Sequence, residues 1–239
     1  MICRAGLLIS LVAGVAAAVS GLGSRWEWWT FRQGIGILRL AAWIGLAGAA
    51  GALVGGVLAG LRADRQGLTF ALAGVVLGLV VFGWPWHLAR TAKSVPAIHD
   101  ISTDTDRPPL FSAIIPLRAG AANPSEYGGE EIARQQRQAY PDIKSLPVAV
   151  GPDTAFQRAL DAARRLHWSL VSEDRQAGRI EASDRTFWYG FVDDVVVRIT
   201  PQGSGSIVDV RSVSRVGRSD VGTNARRIRR FFAELRKGE

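Results

Sequence analysis

Three stretches of this chain carry almost no charge, and each is long enough to cross a bilayer. They are Ala5–Leu22, with 18 residues, Ile35–Leu61, with 27 residues and only Arg39 near its start, and Leu68–Trp86, with 19 residues. Crossing ~30 Å of hydrocarbon at ~1.5 Å per residue takes about 20 residues. Buried helices of a soluble protein keep a polar face, and these have none. The stretches therefore predict three transmembrane helices within residues 1–93, and the lipid bilayer is the first expected partner.

The remaining charges fit that layout. Residues 1–93 hold eight cations against two acids, a net of +6, whereas 94–239 are nearly balanced at +2. The overall +8 would suggest nucleic-acid binding, but most of the excess flanks apolar spans, so no nucleic-acid partner is expected. Trp26, Trp28 and Trp29 follow the first stretch, and Trp84 and Trp86 end the third. Three crossings put these five on one side as an interfacial belt, to which Arg39 can snorkel. Gly51/Gly55, Gly56/Gly60 and Gly74/Gly78 fit G-x-x-x-G, spacing that lets helices approach closely in lipid, within the unit or in a homo-oligomer. Arg4 followed by an apolar run also resembles a secretory signal, read here as a retained signal-anchor. On that reading the N-terminus stays inside and an odd number of spans exports the C-terminal domain, although raw positive-charge counting points the other way.

The rest of the chain reads as α+β. Residues 94–152 are rich in Pro and turn signals and are expected to be largely irregular, with a short helix at Glu130–Gln138. In 153–239 the periodicity predicts an α-β-β-β-β-α core. A helix over Asp153–Leu166 is followed by strands over Trp168–Glu173, Arg179–Ser183, Trp188–Ile199 and Ile207–Val213, then a helix over Asp220–Arg236. Short connections imply a four-stranded antiparallel sheet packed against two helices.

The densest motif runs from Asp209 to Asp220 and includes Arg211, Ser212, Ser214, Arg215, Arg218 and Ser219. Arg and Ser side chains converging on a helix start suit a phosphate, carboxylate or anionic headgroup. The plainer reading is that Asp220 or Ser219 caps the helix while Arg211, Arg215 and Arg218 pair with Asp193, Asp194 and Asp209. Asp193 and Asp194 are adjacent on a strand, so they face opposite ways and cannot share one site. Asp104 and Asp106 can point together on an extended chain, but no third ligand accompanies them. One cysteine, Cys3, and three scattered histidines, His87, His99 and His167, offer no metal-site spacing, and no cofactor motif is present. There is no G-x-S-x-G either, so no catalytic residue is assigned. A hydrolase acting on an envelope substrate would have to combine Asp193 or Asp209 with Ser212 or Ser214. A third reading is a structural or assembly factor without a ligand.

Four blocks carry a family resemblance: Thr103–Phe111 (TDTDRPPLF), Ala139–Ile143 (AYPDI), Phe191–Arg198 (FVDDVVVR) and Val210–Ala225 (VRSVSRVGRSDVGTNA). In this order, over about 100–236, they resemble family 1499 of the domains of unknown function. The resemblance implies a bacterial envelope location and supports export; with the three spans, the expected place is the bacterial cytoplasmic (inner) membrane, with the soluble domain on the periplasmic side. It implies no catalytic residue, because the family has no established activity. Together these readings favour an envelope-anchored domain that binds an anionic ligand or an envelope protein partner.

Overall fold

The computed structural model describes residues 1–237, and the chain divides into two compact units, Met1–Lys93 with Thr186–Gly190, and Ser94–Arg185 with Phe191 onward. The last two residues of the expected 153–239 core lie outside the described residues.

In the first unit three helices, α1 (Ile2–Arg25), α2 (Phe31–Leu61) and α3 (Arg65–Ser94), are each long and apolar enough to cross a membrane. Their packing is inside-out relative to a water-soluble bundle. Small residues such as Gly6, Ser10, Ala13, Gly48, Ala52, Gly55 and Gly74 are buried, while Leu8, Val12, Leu40, Leu53 and Leu72 point outward. Water would penalise that outward apolar surface, but lipid does not, and close backbone approach then supplies the packing energy. The Ser10 hydroxyl adds a hydrogen bond to the Gly74 carbonyl at 2.9 Å. Thr30 opens α2 with a capping box, its backbone N–H donating to Gln33 Oε1 at 2.8 Å.

The close approach rests on particular glycines. A Cβ on Gly55 would lie 2.6 Å from the Cys3 backbone nitrogen, while one on Gly36 would meet nothing. Gly55→Leu is therefore expected to lower the thermal stability of the full chain in mild detergent, and Gly36→Leu to leave it unchanged. Equal melting curves for the two variants would refute this packing. Gly51 and Gly60, also members of G-x-x-x-G pairs, have no neighbour this close.

Of the five expected belt residues, Trp26, Trp28, Trp84 and Trp86 are exposed. The Trp29 indole instead turns inward and donates to the Ser20 carbonyl at 2.9 Å. Thr186–Gly190 also belongs to this unit. Trp188 donates to the Ala18 carbonyl at 3.0 Å, and the Tyr189 hydroxyl lies 3.3 Å from Ser20 Oγ. The strand expected from Trp188 accordingly begins only at Val192.

The second unit is an α+β layer structure. Its sheet has six antiparallel strands rather than the expected four: β1 (Asp100–Ser102), β2 (Leu146–Val148), β3 (Ser169–Asp174), β4 (Arg179–Arg185), β5 (Val192–Gln202) and β6 (Gly205–Ser214). The spatial order is β1-β6-β5-β4-β3, and β2 pairs with the other end of β6. The two extra strands are only three residues long, and β2 contains Pro147, so neither has a readable alternation. Pairing with β6 makes them strands: Asp100 lies opposite Val213 and Leu146 opposite Val208.

Two more helices pack on one face. In α5 (Pro152–Arg165), Pro152 occupies the first turn, where a missing N–H costs nothing. The inward faces of α5 and α6 (Thr223–Arg236) meet Val195, Val197, Ile199, Val208 and Val210, and Trp168 stacks on Phe231 with centroids 5.1 Å apart. A further helix, α4 (Gly129–Ala139), matches the one expected in the irregular part within a residue at each end. The opposite face of the sheet is also covered. Phe111 and Ile114 from the Pro-rich segment pack on Val196 and Val213. The apolar contact there is small, and charged groups supply most of the remaining attachment.

Candidate functional site

The strand alternation of β6 decides the fate of the Arg/Ser motif. Arg211 leaves the sheet on the face covered by the Pro-rich segment and is fully buried. Its guanidinium grips Asp100 in a fork, Nε to Oδ1 at 2.9 Å and Nη2 to Oδ2 at 2.7 Å, and donates to the carbonyls of Pro109 and Ser125. Its carbon lies 5.2 Å from the Phe111 ring centroid and 5.4 Å from that of Tyr127. Arg215 forms a second fork, at 2.9 and 2.8 Å, on Asp194, which also receives Arg118. The expected Arg215–Asp194 pair is present, whereas Arg211 pairs with Asp100.

Ser212 and Ser214 face α6. Ser212 Oγ donates to Asn224 Oδ1 at 2.7 Å, and Ser214 Oγ accepts from Asn224 Nδ2 at 3.1 Å. On the same face, Arg227 bonds Asp193 at 2.7 Å, Asp184 at 2.9 Å and Ser212 Oγ at 3.1 Å. Asp193 and Asp194 thus serve opposite faces, as their adjacency requires. Asp193 lies across the ladder from Ser214, but both are buried. Asp209 is on the other side, bonded to Thr103, Ser145 and Arg198. No observation favours the hydrolase arrangement.

Ser219 and Asp220 shape the start of α6. Val221 N–H donates to Ser219 Oγ, and the Asp220 carboxylate accepts Gly222 N–H at 2.9 Å and Asn224 N–H at 2.6 Å. Burial pushes the Asp220 carboxyl above its ordinary range, against the pull of those two N–H groups. The helix end is therefore occupied by its own chain. Arg218 is exposed and has no carboxylate partner among the described residues.

Sequence reasoning missed a hollow beside α6, lined by Leu166, Trp168, Asp184, Thr223, Arg226, Arg227 and Arg230, with a volume of about 180 Å³. Arg227 and Asp184 form its paired wall. Arg226 is held by Val221 O at 3.0 Å and Thr223 Oγ1 at 2.9 Å and forms no salt bridge among the described residues. Arg230, one turn further along α6, has no hydrogen-bond or ion-pair partner among the described residues. Arg229, by contrast, grips Asp142 at 2.6 and 2.8 Å and holds that carboxyl below its usual range. The available signal was the i, i+4 spacing of Arg226 and Arg230, but it does not show which cations find acids in space.

Among the described residues, no group of three or more His, Cys, Asp or Glu side chains is placed to hold a metal ion. Comparison with curated proteins gives no match. A family model does match residues 100–235, more than half of the chain and nearly all of the second unit, from β1 to the last turn of α6. The chain belongs to the family described as protein of unknown function DUF1499.

Proposed function

We propose that this protein is a membrane-anchored domain that binds an anionic ligand, headgroup or acidic partner segment. We place it in the bacterial cytoplasmic membrane with residues 94–239 on the periplasmic side. The observation that supports anion binding is the contrast among its arginines. Arg211, Arg215 and Arg227 are matched by carboxylates, whereas Arg218, Arg226 and Arg230 have no carboxylate partner among the described residues. In this reading the paired arginines of the Arg/Ser motif, with Ser212, Ser214 and Ser219, build the support, and the unpaired ones meet the ligand. Unmatched guanidinium groups beside a folded framework are good oxyanion receptors.

The test is an anion-dependent stability measurement on the full chain in phosphatidylcholine nanodiscs. Millimolar phosphate, sulfate and citrate are each added, and thermal unfolding is followed. At least one anion is expected to raise the melting temperature by mass action. The rise should vanish when Arg218, Arg226 and Arg230 are all changed to Ala. Curves that no anion displaces, or an equal displacement in the triple variant, would overturn the reading.

A further inference from the structure

We infer that the hollow beside α6 is a phosphoryl-binding site, built from Arg226, Arg230 and the Thr223 hydroxyl. The inference rests on the anion-binding reading above and gives it a location and a ligand class. Three features of the hollow support it. First, three guanidinium groups, Arg226, Arg227 and Arg230, stand against two carboxylates, and both of these, Asp184 at 2.9 Å and Asp193 at 2.7 Å, bond Arg227, so Arg226 and Arg230 have no carboxylate partner among the described residues. Second, the receptor is partly pre-ordered. Two bonds to Val221 O and Thr223 Oγ1 fix Arg226, and a guanidinium has further N–H groups to offer. Because Thr223 Oγ1 accepts from Arg226, its own proton remains for donation. Third, the remaining lining residues are Leu166 and Trp168, whose apolar surface borders the two exposed arginines.

The site is not a helix end. Asp220 already takes the N–H groups of Gly222 and Asn224, so the available donors are side chains along the first two turns of α6. Two planar forks and a hydroxyl suit a tetrahedral oxyanion with several acceptor oxygens better than a single carboxylate. The volume of about 180 Å³ admits a phosphate group with a small substituent. A free phosphate compound and a phospholipid headgroup share this chemistry.

The full chain in phosphatidylcholine nanodiscs is titrated calorimetrically with inorganic phosphate, glycerol phosphate and acetate. A second arm compares melting in nanodiscs with and without phosphatidylglycerol. Tighter binding of phosphate or glycerol phosphate than of acetate is expected. Arg226→Ala with Arg230→Ala should weaken it at least tenfold, and Arg226→Lys with Arg230→Lys should restore part of it. Stabilisation by phosphatidylglycerol, lost in the double Ala variant, would identify the headgroup as the source of the phosphoryl group. Both positions are exposed and Ala favours helix, so the double variant should retain its fold, with the far-ultraviolet dichroism of wild type as the check. If Arg218→Ala abolishes phosphate binding while the double variant keeps it, the hollow is the wrong location and the broader anion reading survives. Equal affinity for acetate overturns the ligand class. Failure of every anion and of phosphatidylglycerol overturns both readings.

Discussion

Arg211→Met in the full chain is expected to lower stability by roughly 3–5 kcal/mol, the cost of leaving a buried charge without its partner. Arg211 is the largest fully buried side chain in the structure, and its fork on Asp100 joins β1 to β6. Its other bonds reach Pro109 and Ser125, so it also pins the Pro-rich segment to the sheet. The variant leaves the buried Asp100 carboxyl without its guanidinium partner. Burial already pushes that carboxyl above its ordinary range, and losing the guanidinium pushes it further. A carboxyl whose folded pKa exceeds its unfolded value loses stabilisation as pH rises through the folded value. The deficit should therefore be largest near neutrality and shrink on acidification. Changing Asp100 to Leu in the same chain should recover much of the loss, since an apolar pair replaces a broken ion pair. Denaturant unfolding followed by the sheet dichroism compares both variants with the wild type. A loss under about 1 kcal/mol, of the size expected for a surface pair, would refute the structural role of Arg211.

The second large effect concerns Glu181, a fully buried residue on β4. Its carboxylate accepts the backbone N–H groups of Ser112, Ala113 and Ile114 at 2.9–3.1 Å. Three successive amides converging on one carboxylate form a small anion cradle, here filled by the protein itself. Glu181→Ala leaves those donors without an acceptor, at about 1–3 kcal/mol for the buried Ile114 amide and less for those of the exposed Ser112 and Ala113. A total loss of about 2–3 kcal/mol is expected, with hydrogen exchange at 107–127 accelerated beyond that of α5 and α6. Glu181→Gln keeps one acceptor oxygen and should fall between wild type and Ala. Unchanged exchange at Ser112–Ile114 in the Ala variant would show that the cradle does not hold the segment.

These two residues share a lesson about legibility. The alternation of β5 was readable: Val195, Val197 and Ile199 on one face, Val196 on the other, and Asp193 opposed to Asp194. That pattern is local, because successive strand residues must point to opposite faces. The two short strands were not readable, since three residues carry too little pattern and gain their structure from β6. Nor was the cover on the second face, where Phe111 and Ile114 are the main apolar contacts and Arg118, Arg198, Arg211 and Glu181 provide the fastenings. Such fastenings join residues far apart in the chain, 111 positions for Asp100 and Arg211.

The three apolar helices and the strand alternation follow from the order of residues, because hydrophobic length and local periodicity act within a single element. The role of each arginine does not. Arg211 and Arg218 come from one motif, yet one is a buried fastening and the other faces outward. Which carboxylate comes within about 3 Å of a guanidinium depends on which segments the fold stacks above and below the strand, and electrostatic pairing falls off over that distance. The fold therefore decided which cations are matched: Arg211, Arg215 and Arg227 meet carboxylates, whereas Arg218, Arg226 and Arg230 meet none among the described residues, and it is on the last two that we propose the phosphoryl site.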